Sequence, residues 1–219
     1  MQRAPSLAIT LLWGGARIFH TLKVGKMHNL MKGLARIMAM IGGAALSFLI
    51  LMTCASIVGR LLNGLFHAEW TRAISPDFAA WMASHVGPVN GDFELVEAGV
   101  AFAIFSFIPL CQITAGHAAV DVFANGFSAR ANRILRMATE VVFALVLVLI
   151  AWRLAAGTVS KFENGETSFL LQFPVWWAYA ASLFSAVVAA IVGLYMAAIR
   201  IYEAVSGQIL IWDGVEVQQ

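Results

Sequence analysis

Between Glu97 and His117 the chain runs for about twenty residues without a formal charge. As a helix rising ~1.5 Å per residue, such a run reaches across the ~30 Å hydrocarbon core of a bilayer. Acids, Glu94 and Glu97, stand at one end of it. His117 and Asp121 stand at the other, four positions apart, so they share a helix face if the helix continues that far. A run of this kind leaves two outcomes, a membrane span or the core of a large soluble protein, and composition decides between them. Of 219 residues, 61% are hydrophobic and only 12% are charged. A soluble domain carries about 25% charged residues. The charges also cluster, leaving further uncharged gaps, so the chain reads as an integral membrane protein.

Four stretches are long and apolar enough to span: about 37–59, 95–116, 135–159 and 175–199. The fold class is therefore all-α integral membrane. It has three parts: residues 1–36, a four-helix membrane domain 37–200, and a tail 201–219. The apolar stretch Leu7–Trp13 is too short to span and is followed by Gly14-Gly15, with no small-x-small cleavage pattern, so it reads as a retained interfacial segment. From Ala16 to Arg36, Lys23, Lys26, Asn29 and Lys32 recur every three residues, opposite Phe19, Leu22, Met27, Leu30, Met31 and Leu34. That pattern makes a basic amphipathic helix suited to the headgroup plane of an anionic leaflet; packing against protein is the alternative. In the connection 60–94, Ser75-Pro76-Asp77 places an N-cap residue, a first-turn proline and a first-turn acid in order. A short helix Pro76 to His85 is expected, stopped at Gly87-Pro88, with Phe78, Trp81 and Met82 on an apolar face that dips into the interface.

Lysine and arginine set orientation. Arg3, Arg17, Lys23, Lys26, Lys32, Arg36, Arg130, Arg133, Arg136 and Arg200 fall on one side, against Arg60, Arg72, Arg153 and Lys161 on the other. The excess places both termini in the cytoplasm of a multi-pass inner-membrane protein. Acids collect on the outer side: Glu69, Asp77, Asp92, Glu94, Glu97, Glu163 and Glu166.

Little in the sequence carries reaction chemistry. Arg60 and Glu97 end neighbouring antiparallel spans and are expected to pair there. Glu140 lies one turn from Arg136 and can pair with it. No span holds a charge at its centre, which disfavours a proton relay. The histidines outside the His117–Asp121 pair, His20, His28, His67 and His85, are not matched across spans as a haem would require. No cluster has metal-ligand spacing, no glycine-rich loop opens a helix, and no serine or cysteine has an evident base, so neither an enzyme nor a cofactor is expected. Cys54 and Cys111 read as small buried hydrophobes. Basic residues are not interleaved with aromatics on a soluble surface, which disfavours nucleic acid. In the fourth span, Ala181, Ser185, Ala189 and Gly193 form a small-residue ladder at four-residue spacing, a helix-packing face. The bulky stripe of the third span suits lipid or the flank of a larger membrane protein.

Two motifs then stand together. One is the acid-rich entry to the second span with His117-x-x-Val120-Asp121 at its far end. The other is Gly165-x-x-Ser168-x-x-Leu171-x-x-Pro174-x-Trp176-Trp177-x-Tyr179 leading into the fourth. With four spans and a basic N-terminus, the chain resembles, over about Arg36 to Arg200, the small permease subunit of tripartite ATP-independent periplasmic (TRAP) transporters. The connection between spans one and two is longer than the resemblance leads one to expect. The resemblance implies a binding and scaffold role beside a large permease subunit and a periplasmic substrate-binding protein. The large subunit would hold the substrate and sodium sites. The small one would brace it and help form the docking surface, its outer loops around Asp92–Glu97 and Lys161–Gly165 facing the binding protein. Arg60, Glu94, Glu97, His117, Asp121, Glu163, Gly165, Glu166 and Pro174 are the interface and structural candidates. The alternatives are a free-standing four-span scaffold or assembly protein of the inner membrane, and a self-contained homodimeric transporter.

Overall fold

The computed structural model describes residues 7–68, 75–114 and 129–206. Five helices follow one another: α1 (Leu7–His67), α2 (Pro76–His85), α3 (Asp92–Ile113), α4 (Ala129–Asn164) and α5 (Trp176–Ser206). Four of them, all but α2, are long and apolar enough to cross a membrane. An N-terminal helix is present as expected. It is one unbroken helix of 61 residues, with neither Gly14-Gly15 nor the approach to span one interrupting it. That length corresponds to about 90 Å, roughly three hydrocarbon thicknesses. The basic stretch is not a separate element: Met31 and Ala35 join a buried cluster with Ile113 of α3 and Val192, Met196 and Ile199 of α5.

The long helices stand in a row, α1 against α3, α3 against α5 and α5 against α4, with α1 touching α5 lightly. The small residues of α5 decide this order. Ser185, Ala189 and Gly193 are buried; Ala181, the first rung of that ladder, is exposed. At Gly193 a methyl group would stand 3.1 Å from Leu147 Cδ1 and 3.5 Å from Gln112 Nε2, so α4 and α3 both close on this one position. In lipid, where burial of apolar surface does not drive association, such close approach is what holds helices together. The result is that 61% of the most apolar window of α5 is buried, against 17% for α4 and 22% for α1. The flanking helices keep Ile50, Leu51, Val142, Leu145 and Trp152 exposed, a surface for lipid or a partner.

The α1–α3 seam uses the same device. Gly42 receives Ser106, and Gly99 receives the Leu49 side chain. Hydroxyls on these helices bond back one turn, Ser47 Oγ to Gly43 O and Thr53 Oγ1 to Leu49 O, so these two polar groups are satisfied within their own helix. Cys54 and Cys111 depart from expectation. Both are free thiols exposed on the outward helix surfaces.

Candidate functional site at the acid-rich end of the helix row

At the end where α1 finishes and α3 begins, α2 runs from Pro76 to His85 as its start and stop signals indicate. Ser75 occupies the cap position in an extended conformation without a side-chain hydrogen bond. Phe78 meets Phe66 of α1 edge to face, ring centroids 6.2 Å apart, and Asn63 Nδ2 donates to Val86 O at 2.7 Å. The chain then passes so close to α1 that Gly87 O occupies the space a side chain at Gly59 would need. Gly91, at φ +77°, turns the chain into α3.

Asp92, the first residue of α3, is the hub of this corner. Ser56 Oγ, fully buried on α1, donates to Asp92 Oδ2 at 2.5 Å and accepts from Val89 N at 3.3 Å. Arg60 Nη2 lies 3.1 Å from the same carboxylate oxygen. The expected Arg60–Glu97 pair is therefore replaced by Arg60–Asp92. The helix begins at Asp92, two residues before Glu94 and five before Glu97, and Asp92 is the acid that falls opposite the last turns of α1. Glu97 lies exposed, beyond the first turn.

Glu94 acts within the chain. Its Oε1 accepts from Leu170 N at 2.7 Å and its Oε2 from Leu171 N at 3.0 Å. The loop that it holds, 165–175, joins α4 to α5. Gly165 leaves α4 at φ +62°, the left-handed conformation that glycine adopts after a helix end. Ser168 N then donates to Phe173 O at 2.9 Å and Val175 N to Glu166 O at 3.0 Å, around an antiparallel bridge of Thr167 with Pro174. Pro174 O accepts from Trp177 N at 3.1 Å in the first turn of α5. Lys161 Nζ lies 2.5 Å from Glu166 Oε2, and this ammonium, with the Asn164 amide, holds the Glu166 carboxyl below the usual glutamate range. Glu163 is exposed. His117 and Asp121 lie outside the described residues.

Polar pairs also sit deeper. Ser106 Oγ and Ser185 Oγ meet at 3.0 Å between α3 and α5. Gln112, fully buried, donates from Nε2 to Glu140 Oε2 at 3.0 Å, passing Gly193. Glu140 thus binds across helices as well as having Arg136 a turn away. At the far end of α5, Arg200 and Glu203 form a buried pair at 2.7 Å. Sequence reasoning missed the Ser106–Ser185 and Gln112–Glu140 pairs because each partner lies on another helix, whereas Arg200 and Glu203 are three positions apart on α5 itself. The available signal was the polar residue type within an apolar span. Among the described residues no group of histidine, cysteine, aspartate or glutamate could hold a metal ion.

The arrangement defines a class: a four-span helical membrane protein whose polar groups hold its own helices and loops in place. A family model for the DctQ component of tripartite ATP-independent periplasmic transporters matches residues 78–203. The chain belongs to this family, and it is a small membrane subunit of a TRAP transporter, a transporter component rather than a member of an enzyme family. The match begins inside α2 and ends near the close of α5, leaving α1 outside it. No curated protein and no solved structure matches the chain. Membership makes it a multi-pass bacterial membrane protein that works with partner subunits.

Proposed function

We propose that this subunit braces a large permease subunit and helps form the surface on which a periplasmic substrate-binding protein docks during sodium-coupled import. The observation that carries this reading is the locked corner at the acid-rich end: three connections tie α1, α3, α4 and α5 together through Arg60–Asp92, Glu94–Leu170/Leu171 and Lys161–Glu166. A docking surface gains from such preorganisation, since less ordering entropy is lost on binding. The exposed apolar sides of α1 and α4 suit a large membrane partner, and among the described residues the long helices are continuous, without the breaks from which a midplane transport site is built. The excess of lysine and arginine on the opposite side supports cytoplasmic termini, which puts the locked corner in the periplasm.

The test begins with tagged protein expressed from its own locus and purified in mild detergent. A stoichiometric large membrane partner supports the brace; a clean monomer or homodimer removes it and favours a free-standing scaffold. Charge reversal at Glu163 and Glu166 then tests docking. Because Glu166 also holds Lys161, Glu163→Lys is the cleaner variant. It should weaken binding-protein-dependent uptake while leaving the membrane complex intact, and unchanged uptake with an unchanged complex would sink the docking role.

A further inference from the structure

We propose that the tip of the α4–α5 loop, residues 168–171, is an interfacial membrane anchor that lays Phe169 and Leu170 into the leaflet at the acid-rich end. The tip reads Ser168-Phe169-Leu170-Leu171, and Phe169 is 88% exposed and Leu170 60%. An apolar tip alone has many explanations; the backbone beneath it narrows them. The N–H groups of Leu170 and Leu171 are both taken by Glu94, one carboxylate oxygen each. Ser168 N is taken by Phe173 O, and the carbonyl of Phe169 by Gln172 Nε2 at 2.8 Å. A loop in water needs no such provision, because water serves its polar groups. Irregular backbone at membrane depth is tolerated only when those groups are satisfied from within the protein.

Position supplies the second argument. The loop does not rise from the helix ends but lies across them, with the Leu171 side chain filling the space over Gly91 at the start of α3. Around it, Phe93 of α3, Phe162 of α4 and Trp177 of α5 are exposed at the same end of their helices. Aromatic side chains gathered at one level mark a bilayer–water interface. Lys161 and Glu166, paired beside them, supply the charged edge of that level. The occupant consistent with both the belt and the tip amides held from within is lipid at the headgroup–acyl boundary, where headgroups and water serve the remaining carbonyls of the tip. Glu94 is then a positioning residue: it takes the two amide N–H groups at the end of the tip and holds Phe169 and Leu170 toward the leaflet. This inference stands apart from binding-protein docking and does not depend on it.

The test uses the transporter complex, with Cys54→Ala and Cys111→Ala in the small subunit, a single Phe169→Cys for a nitroxide label, and nanodiscs of phosphatidylethanolamine and phosphatidylglycerol. Collision of the label with oxygen, which partitions into lipid, is compared with collision with a water-soluble nickel chelate. At Phe169→Cys, and at Leu170→Cys as a second position, oxygen should dominate several-fold, while Glu163→Cys should show the reverse. Adding Glu94→Gln should move the position 169 ratio toward that of position 163. Nickel access at 169 equal to that at 163 puts the tip in water and overturns the anchor. Low access to both reagents puts it under protein and also overturns it. An unchanged ratio in Glu94→Gln removes the role assigned to Glu94.

Discussion

Replacing Gly42 by alanine should weaken the membrane domain, whereas the same change at its neighbour Gly43 should not. A Cβ at Gly42 would lie 2.6 Å from Ser106 Cβ and 3.4 Å from Ala103 O. Carbon atoms settle about 3.5–4.0 Å apart, so α1 and α3 would have to separate locally by about 1 Å. Neither neighbour is the free end of a flexible chain; both are fixed to the α3 backbone. Overpacking of this kind costs about 1–3 kcal/mol. Alanine recovers up to ~1 kcal/mol of helix propensity over glycine, so the net loss centres on about 1 kcal/mol and reaches about 2 kcal/mol. At Gly43 the added methyl meets Phe107 Cζ at 3.9 Å, an ordinary contact, so only the propensity gain remains. The two variants should therefore differ by about 2 kcal/mol in opposite directions. Thermal or chemical unfolding of the purified subunit in one detergent, with Gly33→Ala (open space) as a second reference, measures this. If Gly42→Ala is as stable as Gly43→Ala, the close crossing of α1 and α3 does not exist and the helix row is wrong at its first seam.

At the locked corner, Asp92→Ala should destabilise more than Arg60→Ala, since Asp92 is joined to buried Ser56 while the Arg60 side chain is 62% exposed; unfolding temperatures in the reverse order would refute Asp92 as the hub. Glu140→Leu should lose about 1–3 kcal/mol by stranding the buried Gln112 amide. Gln112→Leu should lose less, because Gln112 Oε1 already has no hydrogen-bond partner; equal losses on unfolding would show that the amide is not the liability. The depressed Glu166 pKa fixes a sign for pH: its contribution is complete above the ordinary glutamate value and is lost as pH falls through the lower folded value. The difference in unfolding temperature between the native chain and Glu166→Gln should thus shrink below about pH 4.5, and a difference that grows in acid would contradict the Lys161–Glu166 pair.

The sequence by itself determined the class of molecule. Charge-free runs the length of a bilayer in a chain with so few charges point to spanning helices, and start and stop signals such as Ser75-Pro76-Asp77 and Gly87-Pro88 are local, so α2 was legible to the residue. The packing role of Ser185, Ala189 and Gly193 was legible for the same reason, because helical periodicity puts them on one face. The family resemblance also rested on local motifs, and the match over residues 78–203 bears it out. Partners across helices were decided only in three dimensions. Arg60 takes Asp92 rather than Glu97 because the start of α3, set by the left-handed turn at Gly91, fixes which acid faces α1. Glu94 reaches Leu170 and Leu171, 76 and 77 positions away, and Gln112 of α3 reaches Glu140 of α4 beside Gly193 of α5. Sequence spacing reports which residues share a face of one helix. Which faces meet, and at what height, depends on how closely the backbones approach, and that is a property of the assembled row.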